Sequence, residues 1–112
     1  MISYVVEMTA QPGRRDELLA LLQELVDAAA GEPGTLVYAF HTVDDEPDTV
    51  FSYELFAGED ALVAHRDGAA VARLLPRLGD VVASTRAWRG APVMGKGLPT
   101  SRPALRRTRP RE

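Results

Sequence analysis

The sequence predicts an α+β fold of the ferredoxin-like kind, β-α-β-β-α-β, with a four-stranded antiparallel sheet and its helices on one face. Two observations carry this. Residues 2–9, 35–43 and 49–56 alternate in the manner of strands, and residues 18–29 place leucines at three- and four-residue spacing, as an amphipathic helix does. The second and third of these strands are joined by a short acidic loop, which makes them an antiparallel hairpin.

In the first strand Ile2, Tyr4, Val6 and Met8 alternate with Ser3, Val5, Glu7 and Thr9. Pro12-Gly13 is a turn signal, and Asp16 and Glu17 follow in a first helical turn, where the helix dipole favours acids. Leu18, Leu21, Leu22, Leu25, Val26 and Ala29 then form one apolar stripe, ended by Gly31 and Pro33-Gly34. Thr35 to Val43 is the second strand, Asp44 to Asp48 a surface loop, and Thr49 to Phe56 the third strand. Gly58-Glu59-Asp60 opens a second helix with Ala61, Leu62 and His65 on one face. Asp67-Gly68 interrupts it, and Ala69 to Leu75 resumes the helical period up to an end or kink at Pro76. Leu78, Val81 and Val82 are a possible continuation. Ser84 to Trp88 reads as the fourth strand, with Val93 to Gly97 as a short terminal extension.

The chain has 112 residues, 46% hydrophobic and 26% charged, which suits one ordinary globular domain. No apolar run approaches the ~18 residues that span a bilayer, and Glu7 within an unbasic start argues against a secretory signal. There is no Cys, so disulfides, thiolate metal sites and a cysteine nucleophile are excluded, in keeping with a cytoplasmic location. The net charge of −3 is unevenly spread. From Lys96 onward six basic side chains face only Glu112, leaving that end at +5 and the preceding residues at −8. A basic tail on an acidic body is not a nucleic-acid-binding footprint, and residues 98–112, broken by Pro99, Pro103 and Pro110, have the composition of a disordered tail after a domain at 1–97.

Both faces of the central strands are apolar. Leu36, Tyr38 and Phe40 oppose Val37, Ala39 and Val43 on the second strand, and Phe51, Tyr53 and Leu55 oppose Val50 and Phe56 on the third. Two helices cover one face, and an uncovered patch of several hundred Å² is rare on soluble monomers. A homodimer through sheet faces is the expected cover. The tail folded back is the alternative, which its Arg and Pro content disfavours.

His65 is the leading candidate for chemistry, since histidine exchanges protons near neutral pH and this one points toward the sheet. A half-buried histidine bonded to a backbone carbonyl is the competing reading. Glu54, flanked by Tyr53 and Leu55, faces opposite to them; if that is the helix side, it would orient His65 or act as a base of raised pKa, and an ion pair with Arg86 or Arg89 is the alternative. His41 reads as a surface or interface residue, and Tyr38, Tyr53 and Trp88 read first as packing aromatics whose polar groups could meet a phenolic ligand. Nothing resembles a nucleotide-binding loop, and two distant histidines make a weak metal site.

From Val37 to His65, the residues Asp45, Pro47, Tyr53, Glu54, Ala61, Leu62 and His65 follow one another in a way that resembles the antibiotic biosynthesis monooxygenase family of dimeric α/β-barrel proteins. The Pro12-Gly13 turn and Glu32-Pro33-Gly34 extend the likeness over residues 2 to about 97. The resemblance implies a dimer that oxidises a small apolar aromatic, a quinol or a polycyclic polyketide-like molecule, with O2 and no cofactor. It implies His65 and Glu54 as catalytic residues and Val6, Phe56, Leu62, Tyr53 and Trp88 as substrate contacts. The chain departs from many relatives at Phe56, where they carry Trp, and at Gly68-Ala69-Ala70, where they carry a Ser-Pro-His-like segment. Haem-degrading relatives use an Asn, a Trp and an axial His where Val6, His65 and Leu75 stand, and the chain has no Asn. A non-catalytic small-molecule-binding module and a proton-transfer isomerase on the same scaffold are the alternatives to the oxygenase.

Overall fold

A computed structural model describes residues 1–99. The expected basic tail therefore lies, but for Leu98 and Pro99, outside the described residues. The elements run β1 (Ile2–Ala10), α1 (Arg15–Ala29), β2 (Thr35–Val43), β3 (Glu46–Phe56), α2 (Glu59–Arg66), α3 (Ala69–Val81) and β4 (Val82–Gly90). All strand pairs are antiparallel, in the order β2-β3-β1-β4. This is the ferredoxin-like sheet with its second helix broken in two at Asp67-Gly68.

The register lays the residues out in rows across the sheet. Tyr38, Glu54, Tyr4 and Arg89 form one row, and Phe40, Ser52, Val6 and Ala87 the next. Because side chains alternate, these rows share one face, and the helices pack on it. The intervening rows, Ala39-Tyr53-Val5-Trp88 and His41-Phe51-Glu7-Arg86, face the other way. Leu18, Leu21, Leu22 and Leu25 of α1 and Leu74 and Val81 of α3 meet Val50 and Ala10 in the core, all below a tenth exposed.

Local chemistry explains the joins. Arg14 N–H donates to Gln11 O at 2.9 Å around Pro12-Gly13, and Gly13 has φ +77°, as the third position of a type II turn requires. Gly13 N–H donates to Asp48 Oδ1 at 3.0 Å, which gives one residue of the acidic loop a structural task. That loop is shorter than expected: β3 begins at Glu46, opposite Val43, leaving Asp44-Asp45 as the turn, with Asp45 at φ 66°. The register shifts between Thr42 and Val43, so Pro47 sits in an irregularity where no ladder N–H is needed.

The helix does not end at Pro76 but runs to Val81. Pro76 and Ala72, whose carbonyl loses its partner, are both exposed, so the freed carbonyl is on the solvent side of the helix. Leu74 and Val81 are buried on the opposite side. β4 is longer than the expected Ser84–Trp88, whereas residues 93–97 add no strand, and Val93 and Met94 stand exposed. No helix is long and apolar enough to cross a membrane among the described residues.

One close approach fixes α2 on the sheet. A Cβ placed on Gly34 would lie 2.5 Å from Ala61 Cβ and 3.3 Å from Ala61 Cα. Gly34→Ala is therefore expected to push α2 outward and destabilise the fold by about 1–3 kcal/mol. Thermal unfolding followed by circular dichroism checks this; an unchanged midpoint contradicts the contact.

Candidate functional site

The helix-facing rows floor a cavity of about 270 Å³. Tyr4, Val6 and Met8 of β1 run along its floor beside Tyr38 and Phe40 of β2 and Glu54 of β3. Leu62, His65 and Arg66 of α2, Val71, Leu75 and Leu78 of α3, and Leu22 and Leu25 of α1 form the roof. Ala87 borders it from β4, an edge strand largely exposed on both faces, so the hollow opens toward that edge. A second, wider hollow of about 500 Å³ shares Met8, Leu75 and Leu78 and continues between α3 and β4.

His65 sits in the last turn of α2, 7% exposed. Its Nδ1 lies 2.8 Å from Glu32 Oε1, in the turn between α1 and β2. The same oxygen accepts from the Thr35 hydroxyl at 2.7 Å. Tyr38 and Phe56 bracket the imidazole, with ring centroids 4.8 and 5.2 Å away. A carboxylate is an acceptor only, so in the neutral ring Glu32 selects the Nδ1–H tautomer and leaves Nε2 as an acceptor. This orienting residue was not singled out by sequence reasoning, which expected Glu54 or a backbone carbonyl to hold the imidazole. The available signal was an acid inside a Gly-Glu-Pro-Gly turn, where solubility does not call for one.

Glu54 stands in the floor and accepts from the Ser52 hydroxyl at 2.8 Å. Neither arginine expected to pair with it does so: Arg86 lies 3.6 Å from Glu7, and Arg89 donates to Glu59 at 2.6 Å. Burial pushes the Glu54 carboxyl above the usual carboxylate range, against the Ser52 hydrogen bond and the nearby His65 and Arg66, which favour the anion. Burial, with the charges of Glu54 and Glu32, likewise raises the Tyr38 phenol. At the mouth, Arg66 Nη2 donates to the Tyr4 hydroxyl at 2.7 Å, its guanidinium 5.3 Å from the ring centre.

The structure thus brings His65, Glu54, Val6 and Leu62 around one cavity, and buries Phe56 against His65. It places Tyr53 and Trp88 on the opposite sheet face, both paired to Val5, away from the cavity. Trp88 there is 46% exposed, with Arg86 4.8 Å from its ring centre. His41 shares that face, stacked on Phe51 at 5.7 Å.

The raised Glu54 value carries a sign for stability. The folded chain holds this proton more tightly than the unfolded one, so the contribution is whole below the unfolded carboxylate value of about 4.3. It is lost as pH rises through the raised folded value. Glu54→Gln has no such loss, so the variant is expected to gain stability relative to the parent between pH 4 and pH 7.5. Unfolding midpoints of both proteins across that range test it; a difference that is flat with pH contradicts a buried, proton-retaining Glu54.

The sequence profile of the antibiotic biosynthesis monooxygenase family matches residues 1–76. No curated protein matches the sequence. Among solved structures, a Chloroflexus aurantiacus J-10-fl protein described as a candidate antibiotic biosynthesis monooxygenase superposes with a TM-score of 0.75 at 25% identity, over 87% of this chain and 98% of that one. A Nitrosomonas europaea protein with the same kind of description reaches 0.79 at 15% identity, over 84% and 100%. A conserved protein from Methanosarcina mazei Go1 reaches 0.75 at 19%, over 80% and 90%. With its matched residues holding three of the four strands, the Glu32–His65 pair and the Glu54 floor, the chain belongs to the antibiotic biosynthesis monooxygenase family.

Proposed function

We propose that the protein is a monooxygenase that oxidises a quinol or polycyclic aromatic with O2, using the His65 cavity and no cofactor. The observation that carries this reading is an imidazole lining an apolar cavity, met at Nδ1 by Glu32 so that Nε2 of the neutral ring is left as the acceptor, with the half-buried Glu54 carboxyl group in the floor of the same cavity.

The chemistry asks for little more. A base removes a proton from the activated CH2 or hydroxyl of the substrate, and the resulting anion is electron-rich enough to react with O2 directly. For an anthrone-like CH2, one oxygen atom ends in the new carbonyl and the other leaves as water; the carbon gives up four electrons and O2 takes them. His65 Nε2 accepts the proton. Burial favours the protonated form of Glu54, and in that form it can donate a hydrogen bond to the oxyanion formed in that step. Leu62, Val6 and Phe40 exclude water from the anion.

The second part of the proposal is a homodimer through the face that carries Ala39, Phe51, Tyr53, Val5 and Trp88. Val5 and Trp88 are 37% and 46% exposed, and no helix among the described residues covers that face. A second copy, applied about a two-fold axis, buries them.

Oxygen uptake with anthrone or a reduced naphthoquinol tests the activity. The parent is expected to turn over, and His65→Ala to lose about 10²–10⁴-fold of the rate while still binding. A His65→Ala variant with full turnover removes the histidine from the mechanism. Binding by the parent without oxygen uptake or proton exchange favours the binding module, and proton exchange alone favours the isomerase. For the dimer, sedimentation should give a two-chain particle at micromolar concentration, and Trp88→Glu should shift it toward single chains. A parent that sediments as one chain at every concentration overturns that part.

A further inference from the structure

The cavity is graded along β1. Tyr4, Val6 and Met8 succeed one another on its floor, and Tyr4 to Met8 is ~13 Å at the rise of an extended strand. The Tyr4 end is polar, with Glu54 in the same row and Arg66 at the mouth. The Met8 end is apolar, bounded by Leu75 and Leu78, and there the wider hollow between α3 and β4 takes over. Leu75 is 60% exposed at this border. Leu75 lines both hollows, so a ligand running from one into the other would pass against it.

The arginines differ in how they are used. Arg14, Arg73, Arg77, Arg86 and Arg89 each lie within 4.0 Å of a carboxylate oxygen. Arg66, like Arg15, has no carboxylate within salt-bridge distance among the described residues; of the two, only Arg66 borders the cavity, where it meets the phenol of Tyr4. Of the acids at this end, Glu59 is already taken by Arg89 and Glu54 is bonded to Ser52. A guanidinium has five donors in a planar fork that matches a carboxylate. Tyr4 uses one of them and holds the fork at the cavity mouth.

We infer that the substrate is an elongated apolar molecule bearing a carboxylate at one end. Arg66 takes the carboxylate, and the apolar body runs past His65 and Glu54 toward Met8 and Leu75. This rests on the reading of the His65 cavity as the ligand site. It adds the chemical class of the ligand and the direction in which it lies.

A matched pair of probes tests it: anthraquinone-2-carboxylate and the neutral anthraquinone-2-carboxamide, titrated by calorimetry into the full chain. The parent is expected to bind the carboxylate at least tenfold more tightly. Arg66→Gln, on an exposed helix position, should bring the two probes to equal affinity without weakening the carboxamide. Leu75→Glu, also at an exposed position, should weaken both about tenfold. Equal binding of the two probes by the parent, or a preference that survives in Arg66→Gln, overturns the carboxylate. Undiminished binding in Leu75→Glu overturns the direction. In these cases the His65 reading stands, because its oxygen-uptake assay uses the uncharged anthrone. If the parent binds neither probe, the inference falls together with the cavity as a site for aromatics of this size.

Discussion

Everything in this molecule follows from a sheet that is apolar on two faces and has helices for one. The strands alternate, so each row of side chains belongs wholly to one side. Val50, Phe56, Tyr38 and Phe40 drew α1, α2 and α3 onto their side, and that side became the core. The helices do not reach the far edge. β1 is covered, but β4, next to it, is left largely open. The gap left between sheet and helices is the cavity, which opens toward that edge.

Within the gap, polar groups survive because each has a partner or changes its charge state. Glu54 is the costliest, a carboxyl group in an apolar floor. The Ser52 hydroxyl meets one oxygen, and the group holds its proton more tightly than an exposed acid does. His65 is met at Nδ1 by Glu32 and flanked by two aromatic rings. The pair depends on backbone geometry: Gly34 lets the start of α2 lie against the chain entering β2, and four residues along that helix bring His65 over Glu32, two residues before the glycine. A side chain at Gly34 would separate the two partners before it disturbed either one.

Much of the fold was legible in the residues. The leucine spacing of α1, the alternation of the first three strands and the Pro12-Gly13 turn are local patterns, and local patterns come from covalent geometry and burial acting on neighbours in sequence. The readings that shifted were those where burial elsewhere outweighed a local signal. Pro76 did not stop α3, because the lost hydrogen bond faces water while Leu74 and Val81 hold the helix down. Pro47 did not keep residues 46–48 out of β3, because the register shift there removes the need for its missing N–H.

By itself the sequence determined the order of elements, the two apolar faces, that Glu54 faces opposite to Tyr53 and Leu55, and that His65 shares a helix face with Ala61 and Leu62. Strand alternation and helical period decide those by residue number. Only the tertiary structure decided which charged groups meet. Glu32 lies 33 residues from His65, and Arg66 lies 62 from Tyr4, separations across which no pattern of spacing operates. It also decided that Tyr53 and Trp88 stand together with Val5 on the face turned away from the helices, since the register of three strands, and not the nature of any one side chain, sets which residues share a surface.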